Sequence, residues 1–181
     1  MTVLPDFMLR KFIASGGLTT KFGTNPQAAV NPASIDIHLA PHLLIESLQN
    51  TGFVEYPFGK HTQDNPFTLR PGNFVLAATA ERINLPDDIA GQVQLKSSVA
   101  RLGLEHLMAG WIDPGFHGSI TLELHNSRQL APVLLWPGMP IAQLVLQQMA
   151  APCEKSYKVT GRYNGQVHPT ESKGVSTEAA Q

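Results

Sequence analysis

"GSITLELHN", residues 118–126, alternates its side chains: Ile120, Leu122 and Leu124 fall on one face, and Ser119, Thr121, Glu123 and His125 on the other. A period of two marks a half-buried β-strand, because successive side chains leave a pleated backbone in opposite directions. The pattern recurs on both sides. "GQVQLK" (91–96) alternates Val93 and Leu95, and "SIDIHLA" (34–40) aligns Ile35, Ile37 and Leu39. In "FTLRPGNFVLAATAERINLP" (67–86) and "APVLLWPGMPIAQLVLQQM" (131–149), two apolar runs flank Pro71-Gly72 and Pro137-Gly138 respectively. Each reads as strand, Pro-Gly turn, strand.

The 15 Gly and 14 Pro among 181 residues fit many short strands better than long helices. An all-β fold in one domain is expected, with one exception at the start. "LPDFMLRKFIASGG" (4–17) carries Phe7, Met8, Phe12 and Ile13 at roughly helical spacing and stops at Gly16-Gly17, so a short N-terminal helix is expected. Residues 18–33 read as loop, and 49–66 as loop with a short strand near "FVEYPF". From residue 157 the chain turns polar and glycine-containing, which reads as a mobile tail on a body spanning 1–156.

Composition narrows the function. Hydrophobic residues make up 43% and charged residues 15%, enough apolar material for a real core. A formal net charge of −1 offers no basic footprint for nucleic acid, although a few local cations suffice for a small anion. The single cysteine, Cys153, excludes an internal disulfide and a multi-cysteine zinc site of the base-deaminase kind. The Met1 start has no basic-then-apolar leader, and no window nears ~18 consecutive apolar residues. A cytoplasmic protein without membrane contact is expected.

Three stretches carry candidate chemistry. "LKSSVARLG" (95–103) reads as a short helix capped by Ser97 or Ser98 and ended by Gly103. A helix start bracketed by Lys96 and Arg101 suits a phosphate, and equally suits a plain capped turn. Asp113 and Glu123 stand ten positions apart. They are either a turn acid and a solvated strand face or the acid–base groups of a site. His106, His117 and His125 form no metal-ligand spacing. "YKVTGRYNGQ" (157–166) holds Tyr157, Arg162, Tyr163 and Gln166 between glycines, as a free terminus or as a segment that folds over a ligand.

Taken in order, "KSSVARLGL" (96–104), "AGWIDPGFHGSITLELHN" (109–126) and "WPGMPIAQL" (136–144) resemble the motifs of the dCTP deaminase family, within the trimeric dUTPase-like group. The resemblance runs from "ASIDIHLA" to residue 166. It implies a dUTPase-like distorted β-barrel or jelly roll and zinc-free hydrolysis of dCTP to dUTP and ammonia, supplying deoxyuridine nucleotides for dTMP synthesis. It also implies a homotrimer with sites between subunits, and magnesium carried by the triphosphate. Carried over by position, Glu123 is the proton-shuttling acid. Ser97 and the Ala109 carbonyl place the water, and Arg101 steadies charge. Lys96, Ser97, Ser98, Tyr157, Arg162 and Gln166 hold or cover the triphosphate. Asp113 contacts the deoxyribose, and Thr121, Leu122 and Glu123 form the strand beside the base. Met108 stands where the family has Thr, and the segment between Arg101 and His106 is one residue short. The rival readings are a bifunctional deaminase–diphosphatase giving dUMP, a dUTP diphosphatase, and a non-catalytic nucleotide-binding regulator.

Overall fold

The computed structural model describes residues 2–20, 22, 25–47, 49, 52–106 and 110–174. Its elements in chain order begin with β1 (Thr2–Val3), α1 (Asp6–Ala14), β2 (Leu18–Thr20), β3 (Ile35–Glu46), β4 (Phe53–Tyr56), β5 (Phe67–Leu69) and β6 (Phe74–Thr79). Next come β7 (Glu81–Asn84), β8 (Ile89–Leu95), α2 (Ser97–Ala100), β9 (Leu104–His106), β10 (Trp111–Ile112) and β11 (His117–Gly118). The chain finishes with β12 (Thr121–Asn126), β13 (Val133–Leu135), β14 (Pro140–Gln148) and α3 (Tyr157–Thr160).

Nine strands form one sheet, ordered β10-β8-β14-β3-β6-β12-β9, with β1 beside β14 and β4 beside β3. The sheet curls into a half-barrel, as an all-β, dUTPase-like fold requires. Two smaller sheets, β11-β7-β2 and β13-β5, flank it. The bend is built into β3. Its ladder with β14 involves Ile35 to His38, and its ladder with β4 starts at Leu43. Pro41, which has no N–H to donate, lies between, where the register with β6 also shifts.

The alternation read from the sequence sets the core. Ile35, Ile37, Leu39, Leu122, Leu124, Leu144 and Leu146 are all fully buried. Each such side chain contributes about 1.5–3 kcal/mol of hydrophobic stabilisation. Two local expectations change. On α1 the core face is Leu9, Phe12 and Ile13, whereas Phe7 and Met8 are exposed. Positions 9, 12 and 13 form one i, i+3, i+4 stripe; 7 points away from it and 8 sits at its edge. Within 18–33, Leu18–Thr20 is a strand that pairs with β7. No helix among the described residues is long and apolar enough to cross a membrane.

Candidate active site

Glu123 lies on the β12 face opposite the core, yet its side chain is only 28% exposed. β9 lies antiparallel to β12 with His106 opposite Leu124. This brings His106 Nδ1 to 3.4 Å from Glu123 Oε2, with the His106 side chain only 4% exposed. Both ring nitrogens of His106 and the Oε2 of Glu123 are buried without a hydrogen-bond partner. Burial pushes the Glu123 carboxyl above its ordinary value, partly offset by a backbone hydrogen bond. Burial likewise pushes His106 down, partly offset by the nearby Glu123 backbone. Both shifts favour the neutral forms, which weakens any ion pairing between the two groups. Unpaired buried polar atoms are costly, and Glu123 lines a cavity.

That cavity holds about 520 Å³, with Phe74, Leu76, Phe116 and Ile120 as apolar wall and Asp113, Thr121, Glu123, Tyr157 and Gln166 as polar lining. The Pro114-Gly115 turn places Asp113 at its rim, and the Trp111 indole N–H donates to Asp113 Oδ1 at 3.0 Å. Gly110 lets β10 approach β8: a Cβ there would lie 2.5 Å from the Val93 carbonyl oxygen. Leu122 is different. Its side chain is fully buried in the core, so it can reach a ligand only through its backbone.

The tail docks on the same chain. Ser119 N–H donates to Gln166 O (2.9 Å) and Gly165 N–H to His117 O (2.8 Å). The Gln166 side-chain nitrogen donates to Ser119 O at 2.9 Å, leaving its Oε1 buried and unpartnered. Tyr157 N–H donates to Pro114 O, and its ring packs 6.0 Å from that of Phe116. Arg162 does not reach the cavity. Its guanidinium donates to the carbonyls of Lys173 and Gly174, because the chain turns back on itself there.

Of the phosphate candidates, Tyr157 and Gln166 line that cavity, whereas Lys96, Ser97, Ser98 and Arg101 form a second cluster that does not. Lys96, not a serine, is the N-cap of α2, and no side chain caps it. Ser97, Ser98 and Arg101 are exposed, and Arg101 Nη1 donates to Ser97 Oγ at 3.3 Å. Lys96 Nζ donates to Asp36 Oδ2 at 2.5 Å, while Asn31 and Gln143 side chains donate to Asp36 Oδ1. Sequence reasoning missed Asp36, Gln143 and His106. Asp36 and Gln143 each stand between apolar neighbours, a pattern that plain strand alternation already accounts for. Ala109 and Met108 lie outside the described residues.

Among the described residues no group of His, Cys, Asp and Glu is arranged to hold a metal ion.

Residues 3–149 match the family described as dCTP deaminase-like. The chain belongs to this family. It is 44% identical over 188 aligned positions to an Acidothermus cellulolyticus protein named "dCTP deaminase, dUMP-forming", covering 94% of each chain. It is 42% identical to a protein of the same name from Mycolicibacterium vanbaalenii, covering 94% of this chain and 95% of that one. Among solved structures, the dCTP deaminase of Agrobacterium tumefaciens superposes with a TM-score of 0.68 at 19% identity. The match covers 81% of this chain and 48% of that one, and at this identity it speaks for the fold alone. The resemblance read from the three dCTP deaminase motifs is thus borne out, and with it the dUTPase-like fold.

Proposed function

We propose that this dCTP deaminase-like protein converts dCTP to dUMP, ammonia and pyrophosphate, with Glu123 as the proton shuttle. The observation that carries the reading is the unpaired, buried Glu123 oxygen facing a cavity whose rim holds Asp113. The sequence reading took dUTP as the product and dUMP as its nearest rival. The names of the relatives favour dUMP.

In the first step a water held by Ser97 and the Ala109 carbonyl attacks C4 of cytosine. The Glu123 carboxylate accepts the water's proton and passes it to N3. It then moves the remaining hydroxyl proton to the amino nitrogen, and ammonia leaves as the C4 carbonyl forms. Arg101 steadies the charge that develops. In the second step another water attacks the α-phosphorus, oriented by Asp113, and the bond to the β-phosphate bridge breaks. Magnesium bound to the triphosphate would neutralise charge on the departing pyrophosphate. Neither step calls on zinc. Lys96, Ser98, Tyr157, Arg162 and Gln166 bind or cover the nucleotide, and Thr121 and the Leu122 backbone flank the base. The working unit is a cytoplasmic homotrimer with sites between subunits, a body of residues 1–156, and a tail of 157–181 that closes over the nucleotide. Its product feeds dTMP synthesis.

The test is to incubate the protein with magnesium and either dCTP or dUTP. Ammonia, pyrophosphate and dUMP in equal amounts from dCTP are expected. Ammonia with dUTP and no pyrophosphate shows a deaminase alone. Pyrophosphate from dUTP without ammonia from dCTP shows a diphosphatase. No product with retained binding shows a regulator.

A further inference from the structure

Asp36 sits between the core-facing Ile35 and Ile37 on β3, so its carboxylate points to the opposite face of the sheet. Strand register places it opposite Gln143 on β14, and Gln143 opposite Gln94 on β8, the strand that leads into Lys96. The carboxylate is fully committed. Oδ1 accepts from Asn31 Nδ2 at 2.8 Å and Gln143 Nε2 at 3.2 Å, and Oδ2 accepts from Lys96 Nζ at 2.5 Å. Gln143 is held in turn by Ser34 Oγ at 3.1 Å. Burial raises the Asp36 carboxyl, but the bonds and charge of Lys96, with those of Asn31 and Gln143, outweigh it and hold it below its ordinary value. The pair is about four-fifths buried on each side, so it is screened less than a surface pair.

The backbone of Lys96 is fixed as well. Its N–H donates to Ile141 O, and its carbonyl accepts from Val99 and Ala100 as the first acceptor of α2. An ammonium has three donors and a flexible four-carbon stem. One donor is spent on Asp36, and two remain. We propose that Asp36 is a positioning residue for the triphosphate, acting through Lys96 by fixing its ammonium at the start of α2. The inference rests on the reading of Lys96 as a phosphate ligand. It goes beyond that reading by assigning a carboxylate that never touches substrate. The arrangement lowers the cost of ordering a long side chain when phosphate arrives.

Asp36→Asn removes the charge and keeps the shape. It is expected to raise KM for dCTP about tenfold with kcat changed less than about threefold, and to weaken inorganic tripolyphosphate to the same degree. In a Lys96→Ala background the same substitution should add nothing further. A merely structural pair would lower Tm and leave the tripolyphosphate affinity unmoved. That result overturns the proposal, as does tighter tripolyphosphate binding by Asp36→Asn, or an undiminished effect without Lys96. Should Asp36→Asn fail to fold, Asn31→Ala loosens the carboxylate while keeping its charge, and an about threefold rise in the tripolyphosphate Kd is expected. Equal affinity to wild type would overturn the proposal equally. Because tripolyphosphate binding is read without turnover, an inactive wild type would sink the deaminase reading and leave this test standing.

Discussion

Glu123 is held where its ionised form is least comfortable. The folded chain raises its carboxyl above the ordinary 4.5, chiefly by burial. A group raised by folding adds stability at low pH, and that contribution is lost as pH rises through its folded pKa. Wherever Glu123 is ionised, its charge is therefore held at a cost to stability. Glu123→Gln should cut turnover by at least ~10²-fold with dCTP affinity nearly kept. The same variant should melt higher than wild type at neutral pH, with the gain disappearing as pH falls into the ordinary carboxylate range. Calorimetry across pH reads this directly, and a lower Tm for the variant at every pH would refute it. Wild-type kcat/KM should also lose activity on the acid side at a pH above the ordinary glutamate value. Burial pushes His106 down as well, which favours its neutral form beside Glu123.

At the scale of elements, alternation made the strands legible, because a period of two survives in β3, β8, β12 and β14 whatever the partner. β2 was not legible: "LTT" is too short to show a period, and its partners on β7 lie 61 to 65 residues on. The site divided in the same way. Glu123 and Asp113 stand in motifs that read as a family pattern. Lys96–Asp36 and Gln143–Asp36 join residues 60 and 107 positions apart, which only strand register brings together. The tail's docking depends on one such approach. Gly118 has φ +137°, and a Cβ there would fall 2.8 Å from Gln166 O. Gly118→Ala should cost about 1 kcal/mol or more of backbone strain and lift the tail from β11. Faster tryptic cleavage after Lys158 and Arg162 is expected, with about tenfold lower turnover through loss of pocket cover. Unchanged cleavage would show that the tail is held by its other contacts.

For the whole molecule, the two clusters on one chain become one site only if neighbouring subunits share it. Glu123→Gln and Arg101→Ala subunits, each inactive alone, are then complementary. Dissociated, mixed one to one and reassembled, they should rebuild about a quarter of wild-type sites, since each site draws its two halves independently. A mixture no more active than the average of its parents would place both halves in one subunit. The tail adds a different kind of consequence. Because the Ser119 amide proton is engaged by the Gln166 carbonyl, it can trade with deuterium only while residues near 166 are lifted away. One backbone proton in the middle of the chain thus becomes a clock for the far end, and the slowing of its exchange as nucleotide is titrated would give the closing equilibrium without any measurement of chemistry.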